Sequence, residues 1–92
     1  MTLYIIAYDL HEGKDDADIT NAIRQFRMHF QCLKSAWLVI TEQAAENVFD
    51  LLCPYIIKSD KLLVLPIDTS PDAGAFWANF DNKASDWLKN HM

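Results

Sequence analysis

The chain has 92 residues, of which 51% are apolar and 12% aromatic, and its formal net charge is −5 at neutral pH. This size and composition predict one globular domain with a single core, small enough that oligomerisation would add useful burial. The chain has only 8 Lys and Arg residues. These are too few and too scattered for an extended duplex-binding surface, which must displace many phosphate counterions.

The sequence also bears on where the protein resides. No apolar run approaches the roughly 20 residues that a membrane span requires, and the first residues lack the basic region and cleavage site of a signal peptide. Cys32 and Cys53 lack CxxC spacing, and we expect them to be reduced packing thiols. These features predict a cytoplasmic protein that does not associate with a membrane.

The first predicted strand, residues 3–8, is a nearly continuous apolar run that ends at Asp9. A run of this kind indicates a strand that is buried on both faces. A carboxylate at the end of such a strand is fixed in place, while the adjoining loop leaves it accessible. Asp9 is therefore the main candidate for a catalytic or metal-binding residue. Its alternative role is structural, as a strand-end Asp that accepts hydrogen bonds from loop N–H groups.

A helix is predicted after the polar loop that contains Gly13. One of three loop aspartates is expected to cap it, namely Asp15, Asp16 or Asp18. Five apolar residues at helical spacing define its buried face: Ile19, Ala22, Ile23, Phe26 and Phe30. Arg24 and Arg27 are assigned to its solvated side.

Residues 31–40 predict a second buried strand, with a break near Lys34 and Ser35. Thr41 is predicted to cap a second helix. Pro54 is predicted to kink or shorten the last turn of that helix, because proline has no N–H to donate. The apolar stripe of this helix comprises Ala45, Val48, Phe49, Leu52 and Ile56.

A turn at Ser59 and Asp60 leads to a third predicted buried strand, residues 61–67. The next segment, residues 68–74, is predicted to be a loop and contains Pro71. An aromatic segment follows, and then a helix from about residue 81. This helix places four residues on one side: Ala84, Trp87, Leu88 and His91. Its aromatic residues are predicted to pack in a core or an interface.

The order of these elements predicts an α+β fold, a ferredoxin-like two-layer sandwich whose antiparallel sheet carries two helices on one face. A single domain is expected over residues 1–92, with a core at residues 1–68 and a C-terminal aromatic helical arm at residues 69–92. Two helices cover one sheet face, yet the strands are apolar on both. Either the arm or a second copy must cover the other face, and we expect both, in a homodimer that packs through its sheets.

Three short motifs resemble a known family. They are Tyr8-Asp9 at the end of the first strand, the stretch Lys34-Ser35-Ala36-Trp37, and Asp60 before an apolar strand. All three resemble the small CRISPR-associated Cas-two family and the related virulence-associated protein D ribonucleases. The stretch at residues 34–37 resembles a Gln-Ser-Val-Phe stretch of that family.

The end of the chain resembles a smaller group of proteins. The residues Trp77, Phe80, Ser85 and Trp87-Leu88 are similar to those of small uncharacterised bacterial and phage proteins that are called SinR-like. That label does not indicate a helix-turn-helix regulator, because this chain lacks the helices for one.

The resemblance implies a ferredoxin-like homodimer in which Asp9 faces its symmetry mate across a cleft. In the nuclease members of the family such carboxylates hold a divalent metal, usually magnesium. The resemblance thus assigns Asp9 as both the catalytic and the metal-binding residue. Magnesium prefers oxygen ligands and can activate a water molecule against a phosphodiester.

Two functions therefore remain open. The first is a metal-dependent endonuclease, acting on RNA rather than DNA, with paired Asp9 residues. The second is a non-catalytic homodimeric adaptor or interaction module of a defence or toxin–antitoxin system. The acidic loop after Asp9 favours the second, because an acidic cleft repels nucleic acid unless a metal neutralises it. His11, as a base or ligand, and Ser35 are secondary candidates near Asp9; their plainer roles are those of a loop histidine and a strand-breaking serine.

Overall fold

The computed structural model describes residues 1–70 and 74–91, so Pro71 of the predicted loop lies outside the described residues. The described residues form an α+β domain. Its elements are β1 (Thr2–Asp9), α1 (Ala17–Ile23), β2 (Met28–Leu33), β3 (Ala36–Thr41), α2 (Ala45–Leu52), β4 (Lys61–Ile67) and α3 (Asn82–His91), with a 3₁₀ turn (Cys53–Tyr55) after α2. No helix within these residues is long and apolar enough to cross a membrane.

The four strands form one sheet in the order β2-β3-β1-β4. Each neighbouring pair is antiparallel. β1 is an internal strand, and its residue Ile5 lies opposite Leu38 of β3 on one side and Leu65 of β4 on the other. An internal strand has neighbours along both edges and layers on both faces, which explains why its sequence is apolar at successive positions.

One face of the sheet packs against α1 and α2. Tyr4, Ile6 and Tyr8 of β1 point to this face, because alternate residues of a strand share a side. They join the helical residues in one buried cluster: Tyr4, Ile6, Tyr8, Ile19, Ile23, Phe26, Trp37, Val39, Val48 and Leu52. The two predicted helices thus form one layer and the sheet the other, as a two-layer sandwich requires.

The C-terminal arm covers part of the opposite face. Leu88 of α3 is buried against Leu3 and Leu38. The ring of Trp87 stacks on that of Phe30 at a centroid distance of 4.9 Å. The arm therefore packs on the sheet of its own chain, over β2, β3 and part of β1.

β4 differs from the prediction of a strand buried on both faces. Leu63 and Leu65 are 49% and 46% exposed, because the arm does not extend over this edge of the sheet. We call the surface formed by Ile5, Ala7, Leu63 and Leu65 the open strip. Its residues lie on one face in paired register, with Ile5 opposite Leu65 and Ala7 opposite Leu63.

The predicted first helix extended too far, and the single strand predicted over residues 31–40 is replaced by two strands. α1 ends at Ile23, and Phe30 lies in β2. Residues 28–40 form two antiparallel strands around a turn at Lys34 and Ser35, so the expected break is a reversal of direction. Phe26 lies in the connection between α1 and β2 and joins the helix-side cluster, whereas Phe30 packs with the arm on the other face. The helical spacing of the two rings was therefore misleading, and the pairing of β2 with β3 places Phe30 in a strand.

The second helix is shorter than predicted and is capped differently. It begins after Ala44, whereas Thr41 ends β3 and accepts a hydrogen bond from the N–H of Gln43 at 3.2 Å. Of its predicted stripe, Val48 and Leu52 are fully buried. The expected effect of Pro54 is confirmed, because α2 stops at Leu52 and the 3₁₀ turn takes over.

The packing of the arm can be tested by truncating its buried leucine. We expect Leu88→Ala to lower the free energy of unfolding by about 2–4 kcal/mol, because it empties a well-packed site. The matched control is Leu51→Ala, at a helical leucine that retains 51% of its exposed surface, where a change of only about 0.5 kcal/mol is expected. Urea denaturation followed by Trp fluorescence measures both, and equal effects would contradict the described packing.

Candidate functional site

Asp9 ends β1 as an exposed carboxylate. It lies on the same face as Ala7 and Ile5, opposite the face covered by α1 and α2. Within residues 1–70 and 74–91, we find no ion pair and no side-chain hydrogen bond to its carboxylate. The alternative role, in which Asp9 accepts loop N–H bonds, is therefore not what the described residues show. This carboxylate is free to bind something else.

An open groove of about 580 Å³ lies beside Asp9. It is bounded by the loop between β1 and α1 and by the turn between β2 and β3. The backbone N–H of Tyr8 donates to the carbonyl of Ser35 at 3.1 Å, which joins the two walls. Asp9, His11, Lys34 and Ser35 all line this groove. The structure thus brings together residues that the sequence had placed far apart.

The β1–α1 loop is bound to a buried carboxylate, that of Asp60, whose side chain has no exposed surface. It accepts hydrogen bonds from the backbone N–H groups of His11 and Ile57 at 2.8 and 2.9 Å. The imidazole Nδ1 of His11, at 2.7 Å, and the Lys14 ammonium also bind it. The Lys14 ammonium donates in addition to the carbonyl of Tyr55 at 2.8 Å. We call this network the Asp60 clamp, and it ties the β1–α1 loop to the segment before β4.

The clamp determines how Asp60 titrates. Burial by itself would raise the pKa of Asp60, but the Lys14 ammonium, the two backbone N–H groups and His11 outweigh it and hold the pKa well below its usual range. Because an ionised carboxylate only accepts, Nδ1 of His11 carries a proton. His11 and Lys14 are therefore committed to structure, and the plainer role expected for His11 is the one that the contacts support.

The loop itself is shaped by Gly13. The N–H of Lys14 donates to the carbonyl of His11 at 3.1 Å, which closes a tight turn. Gly13 occupies the third position of that turn with φ of +82°. A side chain there would strain the backbone even though nothing crowds the site. A substitution at Gly13 would therefore displace His11 and Lys14, the two clamp residues at the ends of this turn.

The loop aspartates have separate tasks. Asp15 accepts the N–H of Ala17 at 2.6 Å and so serves the start of α1. Asp16 instead accepts the hydroxyl of Tyr8 at 2.9 Å. Burial raises the pKa of Tyr8, and the Asp16 carboxylate adds to that effect. Two carboxylates of this acidic loop, Asp15 and Asp16, are therefore engaged in local hydrogen bonds.

The donors of one chain do not complete a magnesium site. Within the described ranges, no group of three or more His, Cys, Asp or Glu side chains is placed to hold a metal ion. Asp9 and Glu12 line the groove without a partner among the described residues, whereas Asp15 and Asp16 accept hydrogen bonds. Magnesium keeps several water molecules and is usually bound through one or two carboxylates. A second copy of the chain would supply a second Asp9 carboxylate.

Two lysines near Asp9 were not among the predicted site residues. Lys61 lies directly opposite Asp9 in the pairing of β1 with β4. Lys34 lines the groove from the β2–β3 turn. No local sequence signal indicates the position of Lys61, because it follows from strand register, whereas Lys34 belongs to the stretch at residues 34–37 that resembles a family motif.

The Asp60 clamp makes a prediction about pH. A carboxylate whose folded pKa is depressed stabilises the fold above its unfolded pKa of about 3.9, and loses this contribution as the pH falls towards the folded value. We expect Asp60→Asn to destabilise the protein at pH 6 and the difference from wild type to shrink between about pH 5 and pH 2. Chemical denaturation across this range measures it. Asp50→Asn, at an exposed position of α2, is the control, and an equal effect of both variants would contradict the clamp.

Comparison with known proteins gave no relatives. No protein-family model, no curated protein and no solved structure matches this chain.

Proposed function

We propose that the protein is a homodimeric, metal-dependent endonuclease that acts on RNA. The observation that carries the proposal is the free, exposed carboxylate of Asp9 at the edge of an apolar surface that its own chain leaves uncovered. A carboxylate with a structural task would have partners, as Asp60 does. The likeness of Tyr8-Asp9 to the Cas-two and virulence-associated protein D families supports the same assignment.

The open strip supports the homodimer. Leu63 and Leu65 are roughly half exposed, and Ile5 and Ala7 beside them are only partly covered. Apolar sheet surface of this kind is typical of an interface. A two-fold axis through the strip would pair it with itself, because such an interface is isologous. Asp9 adjoins the strip in a shallow hollow of about 410 Å³ that Ala7, Lys61 and Leu63 also line. Dimerisation through the strip would therefore bring the two Asp9 carboxylates towards each other.

The topology supports a ferredoxin-like fold. The element order is β1-α1-β2-β3-α2-β4, and read from its other edge the sheet has the order β4-β1-β3-β2. Antiparallel pairing throughout, with both helices on one face, is what a split βαβ arrangement gives. A cytoplasmic location is part of the proposal, and the free thiols of Cys32 and Cys53 suit a reducing compartment.

The paired Asp9 carboxylates would hold a magnesium ion in the dimer. When bound, such an ion activates water and stabilises charge on a phosphodiester. Lys61 lies opposite Asp9 and Lys34 lines the same groove. Both offset the acidic loop that would otherwise repel a phosphate backbone.

A second candidate function is a non-catalytic homodimeric module of a defence or toxin–antitoxin system. The Asp60 clamp favours it, because His11 donates to a carboxylate and Lys14 binds the same group. Neither residue is then available as a base or as a substrate contact. In this function the open strip and the groove would serve protein association alone.

Catalysis is tested by incubating the protein with single-stranded RNA, duplex RNA and DNA in the presence of Mg²⁺ or Mn²⁺. We expect cleavage of RNA, and a loss of at least about 100-fold in Asp9→Asn, since a metal ligand would be removed. Asp50→Asn makes the same chemical change at an exposed position of α2 outside the groove; it is the matched control and should retain activity. If no condition gives cleavage, or if Asp9→Asn cleaves as well as wild type, the module function replaces the nuclease.

The homodimer has a separate test. We expect a dimer by light scattering at micromolar concentration, and a monomer for Leu65→Glu, because a charge in the centre of an apolar interface is left desolvated. Ile57→Glu is the control, since this residue is 58% exposed and lies outside the open strip. A monomeric wild type would mean that the arm alone covers this face.

A further inference from the structure

Charge is segregated along the chain. The segment from residue 19 to residue 41 contains no Asp or Glu, although the chain has 13 of them. It carries Arg24, Arg27 and Lys34, together with His29. This segment includes the second half of α1, the following connection, β2 and β3. The exposed charged side chains of this segment are thus all basic, in a protein whose net charge is −5.

The ring of Trp37 contacts two exposed side chains of this segment, Arg24 and His29. It is only 3% exposed and belongs to the core beneath α1. The guanidinium carbon of Arg24 lies 5.3 Å from the centre of its ring. The ring of His29 lies 6.0 Å away at an angle of 46°. Arg24 and His29 are themselves exposed, so one buried indole supports two polar groups that face water.

Both groups are oriented by further contacts. Arg24 donates to the side-chain oxygen of Asn21 at 3.3 Å. Nδ1 of His29 lies 2.9 Å from the carbonyl of Phe26. A carbonyl only accepts, so Nδ1 carries a proton, and no hydrogen bond among the described residues occupies Nε2. Groups held in this way lose little freedom when a ligand arrives, which favours binding.

We propose that Arg24, Arg27 and His29 form a binding surface for single-stranded RNA. A guanidinium that stacks on an aromatic ring keeps N–H donors for phosphate oxygens. Nε2 of His29 is an acceptor for a ribose 2′-hydroxyl, a group that DNA lacks. Trp37 is covered, so bases cannot stack on it, and contacts to the sugar and phosphate imply little sequence preference.

The position of the surface also suits a strand of RNA. β2 runs from this surface towards Lys34, which lines the Asp9 groove. From His29 to Lys34 the strand spans about 16 Å at its usual rise per residue. A few nucleotides could follow this edge from one site to the other. The RNA surface does not depend on cleavage at Asp9, since binding without cleavage is consistent with the second candidate function.

The test is fluorescence anisotropy of a labelled ten-nucleotide oligouridine with the full-length protein in EDTA, which prevents metal-dependent cleavage. We expect the double variant Arg24→Gln/Arg27→Gln to bind at least about 10-fold more weakly than wild type. Log affinity should fall with log salt at a slope of about −1.4, as expected for two phosphate contacts, by Arg24 and Arg27, to a single strand, and the slope should be shallower in this variant. Binding is measured without metal and cleavage with Mg²⁺, so a failure of catalysis and a failure of binding are distinguishable.

The matched control is Lys58→Gln/Lys89→Gln, which makes the same charge change at exposed residues outside the segment and should alter affinity by less than about 2-fold. Circular dichroism checks the fold of each variant. If Arg24→Gln disturbs the packing of Trp37, Arg27→Gln alone against Lys58→Gln gives the same comparison. Equal weakening by both double variants, or no binding by wild type, would overturn the proposal.

The RNA assignment is tested with oligodeoxyuridine of the same length. We expect it to bind more weakly than the RNA, and His29→Ala to reduce RNA affinity to the DNA value. Equal binding of the two oligonucleotides by wild type would overturn the assignment to RNA. A labelled polyglutamate peptide that bound more tightly than RNA would instead identify an acidic protein as the ligand and would also overturn it.

Discussion

The position of β1 inside the sheet is the constraint on which the rest of the structure depends. Its residues alternate between two apolar faces, and it pairs along both edges with β3 and β4. Both faces must therefore be covered. The helices α1 and α2 cover one, and the arm covers the other as far as Leu3 and Leu38. The remainder, near Leu63 and Leu65, is the open strip, which is why the proposed dimer and Asp9 belong to the same end of the molecule.

The Asp60 clamp has a different consequence for function. A buried carboxylate must be paired, and the backbone and side chain of His11, together with Lys14, provide the partners. The clamp makes the loop after β1 a fixed wall of the groove. It also removes the histidine and the lysine that lie nearest to Asp9 in sequence from the set of reactive groups. The chemistry of the groove is left to Asp9, to Glu12 and to the lysines Lys34 and Lys61 from other parts of the sheet.

Charge is distributed unevenly along the chain. Acidic residues occur from the end of β1 to the first turn of α1, in and before α2, around β4 and in the arm, whereas residues 19–41 have none. A net charge of −5 counts against nucleic-acid binding only if the charges are spread evenly, and here they are not. The surface at Arg24 and His29 lies on the helical side of the sheet, away from the open strip. Dimerisation through the strip would leave that surface accessible in both copies.

The sequence by itself determined the apolar strands, the carboxylate at the end of β1, the stop at Pro54 and the aromatic arm, because these follow from local composition and periodicity. The division of residues 28–40 into two strands depended on the pairing of β2 with β3, which local periodicity does not reveal. The clamp at Asp60, the approach of Lys61 to Asp9 and the contact of Arg24 with Trp37 join residues far apart in the chain. Only the tertiary structure decided these, because strand register and side-chain direction set which distant groups meet.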